Sequence, residues 1–265
     1  MTAAMFPHHA STLRRTIEHF EQTPGVLGLL LGGSIAHGFC TEGSDVDVMI
    51  VVSDDEHRER LRTGDACFFS RELVTYAAGY VDGKYISQGF VRAVAERGSE
   101  PARFAFKDAQ LLFCRDASLP PLIERAARYP SEGKAARIAR FEAQVEAWRW
   151  YCSQAHERGD LPLLRTAISK LTLFAGRIVL AHNELLYPFH KWFLRVLAGA
   201  PEQPAGLLPL LEALANTPTP EAVEELARSL REFRGWSMGH PHWPGQFLRD
   251  SELNWFDGAP PIDDL

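Results

Sequence analysis

Residues 30–52 read LLGGSIAHGFCTEGSDVDVMIVV, and this stretch decides the fold that the sequence predicts. An apolar run over 26–31 ends at two consecutive glycines, and a second apolar run begins at Val46. Apolar and mostly β-branched residues fill 46–52 apart from Asp47, which makes this segment the strongest strand signal in the chain. The pattern predicts two buried strands joined through a sharp glycine turn.

The turn itself contains Gly32, Gly33 and Ser34. Glycine lets the backbone turn sharply and approach a ligand closely, because it has no β-carbon. Ser34 is suited to begin a short helix through His37, and N–H groups exposed at a helix start beside glycines bind phosphate. We therefore expect this turn to cradle phosphate groups, with the Ser34 hydroxyl as a further donor and His37 on an exposed turn.

Asp45 and Asp47 stand two residues apart at the start of the second predicted strand. Side chains two apart on a strand point to the same face, so these carboxylates should project together while Val46 and Val48 enter the core. Adjacent carboxylates repel unless a cation lies between them, and Mg²⁺ commonly binds one or two carboxylates together with substrate phosphates. A carboxylate pair beside a phosphate cradle is the arrangement that phosphoryl or nucleotidyl transfer requires.

Gly33, Ser34, Asp45 and Asp47, with ten residues between Ser34 and Asp45, resemble the motif of the nucleotidyltransferase superfamily. This superfamily includes DNA polymerase beta and the aminoglycoside nucleotidyltransferases. The resemblance implies an α+β fold, in which a small mixed sheet with flanking helices precedes an all-helical domain. It also implies Mg²⁺ as cofactor and transfer of a nucleoside monophosphate from ATP or another NTP.

The resemblance further implies a third acid on a later strand. Asp82 is the preferred candidate, since it lies among β-forming residues, and Glu72 is its rival. Asp82-Gly83 is also a hairpin-turn signal. Lys191, in the helical half, is expected to bind the triphosphate, although a solvated lysine at a helix start fits equally well. Lys84 could serve the same purpose, or it could only pair with Asp82.

The composition changes near residue 119, where strand signals give way to helical spacing. We therefore predict a nucleotidyltransferase catalytic domain over 1–118 and a helical substrate-binding domain over 119–265 with an irregular C-terminal tail. The tail after Trp236 is expected to pack through its aromatic residues, including Trp255. The periodicity also predicts the following elements: strands over 73–78, 80–87 and 110–114, and helices over 11–21, 54–62, 134–157, 163–182, 190–197, 207–215 and 221–233.

The overall charge bears on the partners that the chain can bind. A net charge of −6 disfavours a long nucleic-acid partner, because such proteins usually carry a basic surplus. The four cysteines are scattered without a C-x-x-C pair, which fits a reducing cytoplasm and gives a zinc site little support. No apolar stretch approaches the ~20 residues that span a bilayer, and we expect no membrane partner.

The acceptor of the transferred group is open to several hypotheses. The acidic balance favours a hydroxyl on a small molecule, and the resemblance suggests an aminoglycoside-like compound. One alternative is a protein-AMPylating enzyme of the toxin–antitoxin type, to which Arg177 and His182 add a loose R-x-x-x-x-H ribonuclease-like spacing. A second alternative is a non-catalytic nucleotide-binding regulator, which the presence of both acids disfavours.

Overall fold

A computed structural model describes residues 5–236, 242–254, 256 and 258 of the chain. The chain forms two compact units, Met1–Arg128 and Tyr129–Leu265, so the division falls somewhat beyond the boundary expected near residue 119. The predicted α+β class is confirmed, because a mixed sheet with helices is followed by helices alone. The roles that we assign to the two predicted domains stay predictions.

The first unit alternates helices with the strands of one sheet. Its helices and strands, in chain order, are α1 (Pro7–Gln22), β1 (Gly28–Leu31), α2 (Gly33–Ala36), β2 (Val46–Val52), α3 (Asp54–Thr63), β3 (Cys67–Ser70), β4 (Val81–Ser87), α4 (Gln88–Arg97), α5 (Glu100–Phe104), β5 (Gln110–Cys114) and α6 (Leu119–Ala126).

Five strands of the described residues form a sheet in the order β3-β4-β2-β1-β5. Strands β2 and β4 pair in parallel, whereas the other neighbours are antiparallel. The parallel pair requires a crossover, and α3 and β3 lie within it. Strand β2 has the bounds predicted from its β-branched run, and every one of its residues except Asp47 is buried.

The two faces of the sheet are covered by different helices. On one face Val46, Val48 and Ile50 pack with Leu13 and Phe20 of α1. The other face packs against α4 and α6, in a core formed by Leu30, Met49, Val51, Ile86, Val91, Val94, Leu122 and Ile123. Asp47 alternates with Val46 and Val48 and therefore belongs to this second face, near the start of β2.

The prediction of a strand over 73–78 is wrong. Backbone and side-chain groups of this segment form hydrogen bonds with α1 instead of pairing with a neighbouring strand. The Thr75 N–H donates to Thr12 Oγ1 of α1 at 3.2 Å, and the Thr75 hydroxyl donates to the carbonyl of His8 at 3.1 Å. Ala78 has a φ of 60°, a left-handed conformation that interrupts an extended strand. The strand that the sequence reading missed is β3, which forms the edge of the sheet.

Three helices of the first unit, α4 to α6, were also missed. Pro101 of α5 and the two prolines of α6 occupy first-turn positions, where the missing N–H is not needed. The prolines near residue 120, where the sequence predicts a domain boundary, lie in the first turn of a helix whose Leu122 and Ile123 pack on the sheet.

The described elements of regular structure in the second unit are all helices, as the periodicity predicts. Its helices are α7 (Lys134–Arg158), α8 (Leu161–His182), α9 (Phe193–Ala198), α10 (Leu207–Asn216), α11 (Pro220–Arg234) and α12 (Trp243–Phe247). A π-helical turn, Leu248–Glu252, follows α12, so part of the predicted tail is ordered helix rather than irregular chain. Trp255 lies outside the described residues. Within the described ranges, no helix combines the length and apolarity needed to cross a membrane.

Candidate active site

Three aspartates meet at the starts of two parallel strands. Asp47 on β2 and Asp82 on β4 are aligned partners in the ladder, and Asp45 lies two residues before Asp47. Each can offer a carboxylate oxygen such that the three oxygens lie within 4.8 Å of one another. Asp45 and Asp47 are partly exposed and Asp82 is exposed, so a ligand can reach them. Glu72, the rival of Asp82, is not part of this group of ligands.

The local fold explains why these carboxylates converge. Aligned residues of neighbouring strands share a face of the sheet, so Asp82 lies beside Asp47. Val46 and Val81 alternate with them and are fully buried, which fixes the strands against rotation. A one-residue slip of either strand would send its aspartate into the core and bring a valine to the surface.

A glycine turn borders the same aspartates from the side of β1. The Gly32 N–H donates to the Asp47 carbonyl at 2.9 Å. Gly33 has a φ of 61°, and a β-carbon there would lie 1.7 Å from Asp47 Oδ2. Only glycine fits this position, because both the conformation and the space exclude a side chain. The turn predicted to approach a ligand therefore packs directly against the carboxylate pair.

Ser34 follows Gly33 as the second residue of α2. Its side chain is buried, and its Oγ has no hydrogen-bond partner within the described residues. A buried hydroxyl without a partner is unfavourable by about 1–3 kcal/mol. An oxygen-rich ligand bound at the turn would supply the missing acceptor.

The donor set fits a hard divalent cation. The three carboxylates offer only oxygen atoms, the ligand type that Mg²⁺ prefers, and they would repel each other strongly without positive charge between them. No histidine or cysteine belongs to the group, so the arrangement does not resemble a zinc site. Asp45, Asp47 and Asp82 can thus hold a divalent metal. The glycine turn that is suited to bind phosphate lies directly beside this position.

Two tyrosines that the sequence analysis did not single out also face the aspartates. The negative charge of Asp45, which also hydrogen-bonds to Tyr80, raises the pKa of the Tyr80 phenol. Tyr80 lies two residues before Asp82, so the period of a strand could have revealed it. Burial, followed by the charge of Asp45, raises the pKa of Tyr76.

Tyr76 and His9 both form hydrogen bonds with the backbone carbonyl of Ser44, the residue that precedes Asp45. The Tyr76 hydroxyl donates to the Ser44 carbonyl, and His9 Nε2 lies 2.9 Å from the same oxygen. His9 is fully buried in α1, and its Nε2 must carry the proton because a carbonyl only accepts. No sequence signal linked these residues, since Tyr76 lies in the segment that we predicted as a strand.

The two lysines proposed from the sequence have different surroundings. Lys84 is exposed as a residue, yet burial of its ammonium group lowers the pKa of that group, while the charge of Asp47 opposes this change. Lys191 lies in the second unit, is exposed, and has its Nζ 5.3 Å from the centre of the Trp192 ring. Its predicted contact with a triphosphate stays a prediction.

His37 is not exposed, contrary to expectation. Its side chain is 2% exposed, its Nδ1 lies 3.3 Å from Asp108 Oδ2, and its ring packs against Phe104. Burial lowers the pKa of His37, and Asp108 opposes that effect. We therefore assign His37 a structural role behind the cradle.

Arg177 and His182 do not form an exposed ribonuclease-like pair. The guanidinium of Arg177 is fully buried between the rings of Phe141 and Tyr187, with 4.6 Å and 4.3 Å to their centres. A buried cation between two rings cannot reach an RNA backbone. His182 instead lies 3.2 Å from the carboxylate of Glu202.

Comparison with known proteins assigns a family to the segment that contains the three aspartates. Residues 13–101 match the family model for the nucleotidyltransferase domain. Comparison with curated proteins finds no significant match. Among solved structures, the chain is similar to a nucleotidyltransferase-like protein from Exiguobacterium sibiricum 255-15, with 11% identity, a TM-score of 0.48, and coverage of 91% of this chain and 78% of that chain. Residues 13–101 therefore carry a nucleotidyltransferase domain, which indicates that the protein is a nucleotidyltransferase.

Proposed function

We propose that the protein transfers a nucleoside monophosphate from ATP or another NTP to a hydroxyl of a small-molecule acceptor, with Mg²⁺ as cofactor. One observation carries this proposal. Three convergent carboxylates lie against a glycine turn whose neighbouring serine has a buried hydroxyl without a partner in the described residues. The arrangement offers oxygen ligands for a divalent ion and donors for phosphate at one place.

Asp45, Asp47 and Asp82 would hold the metal, which supplies positive charge against the triphosphate. The backbone at Gly33 and the hydroxyl of Ser34 contact the phosphates and orient the α-phosphorus for attack. Asp82 is the most exposed of the three acids and accepts the proton of the acceptor hydroxyl. A bond forms between the acceptor oxygen and the α-phosphorus as the bond to pyrophosphate breaks.

The proposal extends to the leaving group, the acceptor and the location of the protein. A cation near the leaving pyrophosphate would neutralise its growing charge, and Lys191 or Lys84 is proposed for that purpose. An aminoglycoside-like compound is the proposed acceptor, which the acidic net charge favours over a long nucleic acid. A cytoplasmic location fits the four cysteines, none of which is in a disulfide.

Labelled nucleotide identifies both the reaction and the acceptor. The protein is incubated with α-³²P-labelled ATP, Mg²⁺ and a cell extract, and the extract is then separated into small molecules and macromolecules. We expect label in a small molecule, release of pyrophosphate, and loss of both with Asp45→Ala or Asp47→Asn. Label on a protein would favour AMPylation instead. Magnesium-dependent ATP binding without pyrophosphate release would favour a regulator and contradict the proposal.

A further inference from the structure

An aromatic pair, the exposed Phe69 and the partly buried Tyr80, lies next to the three aspartates. The rings of Phe69 and Tyr80 are 5.3 Å apart at an interplanar angle of 31°, and Phe69 is 60% exposed. The guanidinium of Arg71 lies 5.8 Å from the centre of the Phe69 ring. Phe69 belongs to the edge strand β3, so its ring presents a large apolar surface to solvent at the border of the candidate active site.

The register of the sheet places this pair beside Asp82, on the side of the acids that is away from the Gly33 turn. Phe69 is the direct partner of Asp82 in the β3–β4 ladder, and directly opposite residues share a face. Moving across the strands, the order is therefore the Gly33 turn after β1, Asp47 on β2, Asp82 on β4 and Phe69 on β3. Neighbouring strands lie about 4.8 Å apart, which puts β3 roughly 10 Å from β2.

This order separates the two reactants, given the function proposed above. An in-line displacement at the α-phosphorus requires the attacking oxygen and the departing pyrophosphate to lie on opposite sides. If the outer phosphates bind at Gly33 and Ser34, the acceptor hydroxyl approaches from the side of Asp82. The remainder of the acceptor then lies over Phe69 and Tyr80.

We propose that Phe69 and Tyr80, bordered by Arg71, form a binding platform for the acceptor. The acceptor class that fits carries a flat apolar face, either an aromatic ring or the C–H face of a sugar ring, next to the reacting hydroxyl. Stacking on an aromatic ring adds about 0.5–1.5 kcal/mol beyond area burial. Arg71 would favour an acceptor with a polar or anionic group at the border of the platform.

The first test measures the transfer of label from α-³²P-labelled ATP at increasing concentrations of the extract's small-molecule fraction. The concentration of this fraction that gives half-maximal labelling should rise about tenfold in Phe69→Ala, which corresponds to about 1.4 kcal/mol, and recover in Phe69→Tyr. Leu61→Ala is the matched control, because Leu61 of α3 is also 60% exposed. An equal half-maximal concentration in Phe69→Ala, Leu61→Ala and the parent protein would overturn the platform.

A second test does not depend on catalysis. 4-Fluorophenylalanine replaces Phe69, and the fluorine resonance is recorded with Mg²⁺ and α,β-methylene ATP, before and after adding the small-molecule fraction. We expect the resonance to move when the fraction is added. Movement with the ATP analogue alone, and none afterwards, would assign the platform to the nucleobase and contradict the proposal. If no label is transferred but the resonance moves with the fraction, the proposed reaction fails while the platform remains.

Discussion

Gly33 lies so close to Asp47 that a single added carbon would collide with the carboxylate, at 1.7 Å from its Oδ2. Gly33→Ala should therefore displace Asp47 and reduce nucleotidyl transfer by about 100-fold, the size of effect expected from a misplacement of about 1 Å. Steady-state release of pyrophosphate measures the effect. Gly43→Ala is the control, since a β-carbon at Gly43 meets open space. Similar rates in the two variants would show that the contact does not position Asp47.

Ser34→Ala should separate nucleotide binding from stability. The Oγ of Ser34 lacks a partner in the described structure, so its removal should leave the melting temperature unchanged or slightly higher. The affinity for Mg²⁺–ATP should fall about tenfold if the hydroxyl donates to a phosphate. Calorimetric titration and a thermal melt measure the two effects.

Ser53→Ala is the control for Ser34→Ala, because it should lower stability and leave the affinity for ATP unchanged. Its hydroxyl accepts from the Glu56 N–H and caps α3, so the substitution should destabilise the protein by about 1 kcal/mol without changing ATP affinity. A loss of ATP affinity in Ser53→Ala that matches the loss in Ser34→Ala would indicate a general structural effect.

Asp82→Asn should stabilise the metal-free protein, because it removes one of three carboxylates that repel each other. We expect the melting temperature without metal to rise by about 2 °C. The parent protein should gain about 2.7 kcal/mol with Mg²⁺ and ATP at about 100 times Kd, and the variant should lose about half of this gain. The exposed Glu72→Gln should behave like the parent in both measurements, and a matching loss of metal stabilisation there would reopen the choice of third acid.

The unfolding free energy should fall as the pH drops through the usual pKa of His37. Burial holds the pKa of His37 below its usual value of 6.5, so the unfolded chain takes up this proton at a higher pH than the folded chain. The stability contributed by His37 is therefore present above about pH 6.5 and decreases below it. Denaturant titrations at pH 7.5 and 5.5 should show a smaller loss in His37→Gln than in the parent. His57→Gln of α3 is the control, and an equal reduction in both variants would contradict this assignment.

The sequence was sufficient for the features whose signals are local. The β-branched run predicted β2 to the residue, and period-two alternation predicted that Asp45 and Asp47 would share a face. The long helix α8 of the second unit shows apolar spacing over several turns, with Leu164, Ala167, Ile168 and Leu171 buried. In each case the residues that fix the structure are neighbours in the chain.

The features that we missed depend on contacts between distant residues. Residues 73–78 have strand-like composition, but the side chains of Thr75 and Tyr76 bond to groups far away in the chain. The shielding of His37 needs Phe104 and Asp108, which no local pattern connects to it. The hold of His9 on the Ser44 carbonyl is equally non-local.

Strand β4, which supplies Asp82, pairs with β2 only after the chain has passed through α3 and the edge strand. A nascent chain that stops before residue 80 contains two of the three carboxylates and lacks the strand that aligns the third. Strong chelation should therefore arise only once this crossover has closed, so that metal affinity increases together with folding. Binding of a divalent ion would then indicate that the crossover between β2 and β4 has formed correctly. Partly synthesised or misfolded chains would bind the ion weakly and would be unable to consume nucleotide.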